Sequence, residues 1–370
     1  APLLFWRALI QWLGGIGIVV LFVAVLPSLG VGGKKLFKVE APGPDPEGVR
    51  PHIRETARIL WLIYICLTGV ELLAYKFAGM QWFDASCHAL STLATGGFST
   101  QNASIGAYNS RLIDVITIVF MVVAGANFGL YYAAVRGKIK VIWSDPEFRL
   151  YIMLLTVGSI IVTCSLLGSG QPLTATTGIT EQATSGEVLT QSVFTVVSQG
   201  TGTGLTVSDF NTWPFVAKAV LVLLMFVGGC AGSTTCGIKI FRFQVLYATA
   251  RAQLQRLLLP HGVFVPHFNK APIPETVSEA VMGFFFLYII CFGLLAAGLA
   301  ALGLDFTTAI SGAATAISNV GPGLGEVIGP SGSFKDLPES AKWLLSAGML
   351  LGRLELFTVL VMFSPAFWTR

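Results

Sequence analysis

Charge is what this sequence has least of. Only 11% of its 370 residues are Asp, Glu, Lys or Arg, against about 25% in soluble domains. That shortage excludes a water-soluble enzyme, and with 54% hydrophobic residues it also excludes a disordered chain. A net charge of +4 is too small for a nucleic-acid binder, which needs a strongly basic face. The six cysteines (66, 87, 164, 230, 236 and 291) form no CxxC pair and the four histidines no cluster. They read as small buried residues rather than as a redox or metal motif. A basic n-region and a small-residue cleavage site are both missing at the start, so no cleavable signal peptide is expected. A chain that opens directly into a membrane segment reads as cut or processed at its N-terminus.

What the sequence does have is long apolar runs and 41 glycines, with a mean hydropathy of +0.74. A span needs roughly 20 apolar residues. Runs of that kind lie at 5–29, 57–78, 112–135, 150–168, 214–235, 277–302 and 341–366. Three shorter runs, 83–94, 187–199 and 305–318, are too short to cross and suit re-entrant helices. Each leads into a Gly-rich stretch: Thr95-Gly96-Gly97-Phe98, Gly202-Thr203-Gly204-Leu205 and Asn319-Val320-Gly321-Pro322. The connections 33–58, 136–149 and 239–270 hold 15 of the 23 Lys and Arg residues. By the positive-inside rule those connections are cytoplasmic and the Gly-rich loops open outward.

The order of span, short helix, Gly-rich loop, span recurs. This predicts an all-α polytopic membrane protein of pseudo-four-fold repeats, helix–pore loop–helix as in potassium channels, with the first repeat incomplete. The expected divisions are 1–35 as the second helix of repeat one, 52–145 as repeat two, 146–260 as repeat three and 271–370 as repeat four. Copies of one orientation place the symmetry axis along the membrane normal. Backbone at membrane depth that is not helical must be buried or line water. Glycines let successive carbonyls turn toward an axis, and carbonyl rings can replace the hydration shell of a cation. The C-terminal ends of the short helices favour a cation at the same place.

Several segments now resemble a known family. They are Gln11-Trp12-Leu13-Gly14-Gly15-Ile16-Gly17; Gly204-Leu205-Thr206 with Asp209-Phe210-Asn211-Thr212-Trp213-Pro214; the run from Gly228 to Lys239; Asn319 to Gly325; and Leu350-Leu351-Gly352-Arg353-Leu354-Glu355-Leu356. Together they resemble the Trk/Ktr/HKT superfamily of potassium transporters, its bacterial TrkH branch most closely. The resemblance implies K⁺ as the transported ion, no organic cofactor, no enzymatic activity, and a multi-pass place in a bacterial inner membrane. It implies a homodimer in the lipid bilayer, with a cytosolic ring of nucleotide-binding, Rossmann-type, TrkA-like subunits and no nucleic acid. The implied potassium-facing carbonyls are those of Thr95, Gly96, Gly97, Gly202, Thr203, Gly204, Asn319, Val320 and Gly321. The first loop has no counterpart here, so these residues alone do not close a four-sided ring.

Four glycines with Ser233, Thr234 and Thr235 stand inside the 214–235 span and its continuation. Each Gly costs a helix about 1 kcal/mol against Ala. The run reads either as small-residue helix packing or as a broken helix obstructing the conduit. The resemblance makes it an intramembrane gating loop, with Gly232, Ser233, Thr234, Thr235 and Arg353 as gating residues and Cys236 where glycine is more usual. Arg353, a charge deep within a span, is functional by default. Glu71 and Asn127 are also polar within spans, and packing explains them as well as transport does. His88 has no evident partner in the sequence. Lys239, Arg242, Arg251 and Arg256 serve equally well as contacts for a cytosolic partner or as ordinary positive-inside charge. A proton- or sodium-coupled alternating-access transporter is the alternative, and it requires ionisable residues at the midplane.

Overall fold

The computed structural model describes residues 1–17, 53–170, 172–181, 184–269, 271–354, 356–362 and 365–368. Its helices are α1 (Pro2–Trp12), α2 (Ile53–Phe77), α3 (Trp82–Leu93), α4 (Arg111–Gly125), α5 (Phe128–Val135), α6 (Pro146–Ser169), α7 (Ser185–Gly200), α8 (Phe215–Phe226), α9 (Ile240–Leu258), α10 (Glu275–Ala301), α11 (Phe306–Ser318), α12 (Glu339–Arg353) and α13 (Leu356–Met362), with a short turn of helix at Lys140–Ser144 and another at Pro365–Trp368. The fold is helical, and its helices are long and apolar enough to span a membrane at Arg58–Phe77, Pro146–Ser169 and Glu275–Ala301. These belong to α2, α6 and α10, the first helices of the three units.

The short helices start where local chemistry supplies partners for their free N–H groups. Thr184 and Glu187 cap α7 reciprocally, Thr184 Oγ1 accepting from the Glu187 amide and Glu187 accepting from the Thr184 amide. Asp305 accepts from the Thr308 amide at the start of α11 (3.1 Å). Asp145 caps α6 in the same way through Phe148 (2.8 Å), with Pro146 in the first turn where its missing N–H costs nothing.

Packing repeats with the sequence. Each short helix is held by the two helices of its own unit and by the second helix of the unit before it. Thus α3 packs on α2, α4 and α1; α7 on α6, α8 and α4; α11 on α10, α12 and α8. Tyr75, Met121, Phe194, Phe210 and Leu221 centre one core, and Tyr288, Leu299, Ile317 and Leu345 another. This neighbour rule brings the three loops side by side.

Second helices depart from the sequence expectation. The 112–135 run is two helices, α4 and α5, meeting at 94°. Gly125 ends the first; Asn127 caps the second, its side-chain oxygen accepting from the Gly129 amide. The 341–366 run divides between α12 and α13. The 5–29 run is helical over Pro2–Trp12 and then loosens into a wide turn over Leu13–Gly17, where Gly15 leaves helical geometry. Its remainder, most of repeat one's 1–35 division and the first Lys/Arg-rich connection up to residue 52 lie outside the described residues.

Candidate functional site

The three Gly-rich loops share one backbone signature. In each, two residues spaced by one carry a positive φ: Thr95 (+51°) and Gly97 (+72°), Gly202 (+65°) and Gly204 (+79°), Asn319 (+54°) and Gly321 (+114°). Left-handed residues alternating with ordinary ones flip successive peptides, which turns consecutive carbonyls to one side. Hydroxyls near the C-terminal ends of the short helices fasten the loops. Ser91 Oγ accepts from the Phe98 amide (2.8 Å), Ser198 Oγ donates to the Leu205 carbonyl (2.6 Å), and Thr315 Oγ1 accepts from the Gly321 amide (2.7 Å). Pro322, at the position of Phe98 and Leu205, has no N–H, so the donor moves back one residue.

The loops lie side by side. A Cβ on Gly97 would overlap the Thr203 carbonyl, and one on Gly204 would overlap the Val320 carbonyl. Their order is therefore Thr95–Gly97, Gly202–Gly204, Asn319–Gly321. On the outer flank of the first loop, Gln11 donates from Nε2 to the Gly96 carbonyl (2.8 Å) and accepts from Ser91 Oγ (2.9 Å).

The 227–239 segment lies between α8 and α9, outside either helix, and packs against the first of these loops and the α4–α5 break. Val227 and Ile238 pair as a single parallel bridge, closing the excursion at its neck. Thr95 Oγ1 lies 2.7 Å from the Ala94 carbonyl and 3.1 Å from that of Thr234, while Thr234 Oγ1 lies 3.1 Å from the Leu93 carbonyl and 3.2 Å from that of Ala124. The Cys230 amide donates to the Gly125 carbonyl (2.9 Å), and the Phe128 amide donates back to the Gly232 carbonyl (3.1 Å). The break between α4 and α5 thus frees the backbone groups that receive the loop. Arg353 reaches it from α12, donating from Nη1 to the Thr234 carbonyl (3.2 Å) and to Cys236 Sγ (2.9 Å), and from Nη2 to the Gly14 carbonyl.

Two further residues hold the loop that the sequence analysis did not identify for that task. Glu147, buried in the first turn of α6, accepts from the amides of Ala231 (2.7 Å) and Phe241 (3.2 Å), spanning the loop's two ends. Lys239 turns its ammonium onto the Thr235 carbonyl (2.6 Å), Thr235 Oγ1 (3.0 Å) and Ser233 Oγ (3.2 Å). Lys239 thus has a structural role of its own, besides the two readings of the basic residues here as partner contacts or ordinary inner-face charge. Arg242 is buried with its guanidinium 3.7 Å from the Phe284 ring centre. Arg256 donates to the Phe264 carbonyl (2.9 Å), and Arg251 lines an open groove with Gln244, Gln255 and His267. His88 is corrected: its Nδ1 bonds the Asp84 carbonyl (2.8 Å) and its Nε2 the Ser99 hydroxyl (2.9 Å). Asn127 is a helix cap facing Gly232. Glu355 lies outside the described residues.

Repeated helical units with helices apolar enough to span a membrane, each carrying a Gly-rich loop of one backbone signature beside the next, define the class: a polytopic helical membrane protein built of helix–loop–helix repeats. The family model described as TrkH, cation transport protein, matches residues 2–370. The Trk system potassium uptake protein TrkH of Halomonas elongata is 42% identical over 370 residues, covering 100% of this chain and 74% of that protein. TrkH of Escherichia coli K12 is 41% identical, covering 99% and 74%, and TrkG of the same organism 35%, covering 99% and 73%. The crystal structure of the potassium transporter TrkH from Vibrio parahaemolyticus superposes with a TM-score of 0.83 at 38% identity, covering 99% of this chain and 73% of that one. The chain belongs to the TrkH family of cation transport proteins.

Proposed function

We propose that this protein takes up potassium through a pore lined by the backbone carbonyls of Thr95, Gly97, Gly202–Gly204 and Asn319–Gly321; the Gly96 carbonyl, expected among them, is instead taken by the Gln11 side chain. The observation that carries the reading is the shared positive-φ pair in three loops that touch in order. None of the stretches 94–100, 200–206 and 318–324 holds a carboxylate, so selection rests on carbonyl dipoles rather than charged side chains. The helices α3, α7 and α11 end at these loops and add their negative ends to the same point.

The 228–237 run is the gate of this reading. It leans on α3, α4 and α6 and on Arg353, and so closes the conduit below the loops. Arg353 does two things there: it pins loop carbonyls, and its positive charge raises the barrier to a cation. Control belongs to TrkA-like cytosolic subunits acting on the inner face around α9, in a homodimer with one pore per protomer. A subunit that pulls α9 moves Phe241 and Lys239, and through them both ends of the loop.

The test is tracer flux in liposomes containing the full-length protein, with K⁺, Rb⁺ and Na⁺ in competition. Saturable flux with K⁺ and Rb⁺ above Na⁺, and loss of that order on replacing Gly204, is expected. Flux driven by a proton or sodium gradient and indifferent to Gly204 would replace this reading with a coupled alternating-access transporter.

A further inference from the structure

Beyond the first two Gly-rich loops the chain makes a short turn of tight helix that the pore reading does not use. Ser104–Tyr108 follows the 94–100 loop, and Phe210–Thr212 follows the 200–206 loop. Ser104 stands seven residues after Gly97, and Asn211 stands seven residues after Gly204. Each reaches past its own loop to the next one. Ser104 Oγ accepts from the Thr206 amide (3.1 Å), and the Gly106 amide donates to the Thr206 carbonyl (3.2 Å). Asn211 Oδ1 accepts from the Gly325 amide (2.9 Å), and its Nδ2 donates to the Gly325 carbonyl (3.0 Å). In both places one unit takes the amide and the carbonyl of a single residue just past the neighbouring loop. The first clamp uses a hydroxyl and a backbone N–H. The second uses one carboxamide, which carries donor and acceptor together and is oriented by its two backbone partners.

The clamps are themselves held. Asp209 Oδ1 accepts from the Asn211 amide (3.0 Å), and Phe210 is fully buried. Ser104 is buried with a φ of +55°, a left-handed conformation that serine rarely adopts. A Cβ on Gly106 would overlap Thr176 Oγ1, and one on Gly329 would overlap Asn211 Nδ2, so both clamps are closely packed. The loops they join are the ones that touch, Gly97 against Thr203 and Gly204 against Val320. Carbonyl oxygens gathered at one place repel one another, and a tie beyond them opposes the spreading.

We infer that Ser104 and Asn211 are positioning residues that set the spacing of neighbouring carbonyl loops, and through it the preference for K⁺ over the smaller Na⁺. A loop freed from its tie closes in on the smaller ion or lets it pass hydrated, and either way the preference falls. This role rests on the carbonyl-pore reading above.

Competitive K⁺ and Na⁺ tracer flux in liposomes tests it, on full-length variants whose fold is checked by thermal melting. Ser104→Gly accepts the left-handed backbone freely and removes only the hydroxyl. Asn211→Asp keeps size and acceptor but sets a second acceptor against the Gly325 carbonyl, while Asn211→Ala removes both bonds. Thr212→Ala is the comparator: Thr212 lies in the same turn, and its hydroxyl donates to the Asp209 carbonyl of its own unit (2.8 Å). The K⁺ over Na⁺ preference should fall about tenfold in Asn211→Ala and about threefold in Ser104→Gly, the scale of two lost hydrogen bonds and of one. It should fall in Asn211→Asp as well and hold in Thr212→Ala. A lower melting temperature with the preference intact in Asn211→Ala, Asn211→Asp and Ser104→Gly overturns the inference. So does an equal fall in Thr212→Ala. If Asn211→Ala does not fold, Asn211→Asp and Ser104→Gly decide. Gly204→Ala separates the two readings: if it abolishes the preference while the clamp variants keep it, the pore stands and the clamps fall, and if it changes nothing, the pore reading itself fails.

Discussion

Gly204 is where backbone conformation and packing make the same demand. Its φ of +79° disfavours any side chain, and the space a Cβ would need is filled by the Val320 carbonyl. Gly204→Ala adds strain of order 1–3 kcal/mol and pushes two carbonyl-bearing loops apart. K⁺ and Na⁺ flux should converge in this variant, while an alanine at Gly168, which has open space around it, should leave the ratio unchanged. Thr315→Val removes the acceptor of the half-buried Gly321 amide and should lower the melting temperature by the equivalent of about 1 kcal/mol, the net worth of one hydrogen bond. The loops of Gly97, Gly204 and Gly321 stood out as Gly-rich stretches after short apolar runs, the resemblance singling out the central glycine of each, and Arg353 stood out as a charge within an apolar run. Ser91, Ser198 and Thr315 did not, since a hydroxyl within a helix ordinarily bonds its own preceding turn. Nothing local distinguishes these three.

At the scale of the element, the short helices are held by their first turns. Asp305 is kept below the usual carboxylate range mainly by the hydrogen bonds it accepts from Thr308, and Glu187 likewise by those from Thr184. A depressed folded-state value gives stability that is present above the unfolded value and lost as pH falls through the folded one. Asp305→Ala should therefore lower thermal stability at neutral pH by about 1 kcal/mol, and the difference from wild type should vanish in acid below the ordinary aspartate range. A thermal melt series across pH measures both. The long first helices and the three short ones were legible because their length and apolar runs are properties of the segment alone. The 94° break after Gly125 was not: one glycine in an apolar run is tolerated in a straight helix. What decides the break is the loop 100 residues later, whose Cys230 and Gly232 take the freed backbone groups. Glu147 was illegible for the same reason, because its two partners are distant in sequence.

For the whole molecule, the 227–239 loop is where the units meet. Its hydrogen bonds reach α3, the α4–α5 break, α6 and α12, and through Arg353 the Gly14 carbonyl at the end of α1. A segment that merely filled space would need apolar contacts; this one is held by polar bonds at both its neck and its tip. Such bonds can be exchanged for others without the solvent-exposure cost that repacking a core imposes. That makes the loop suited to two positions, and it predicts how the variants rank. On the gating role proposed for 228–237, shortening that run should raise K⁺ flux most. On the same proposal Arg353→Gln should raise it too, by freeing the Thr234 carbonyl and removing the barrier charge. Glu147→Gln should raise it least: the two amide bonds to Ala231 and Phe241 weaken, by about 1.5–3 kcal/mol in all if charge-assisted, while the loop remains. Single-channel or tracer measurements on folded variants check the order. Unchanged flux on shortening would leave 228–237 as a packing device. A large fall on Arg353→Gln, with the fold intact, would mean that the guanidinium supports conduction instead of opposing it.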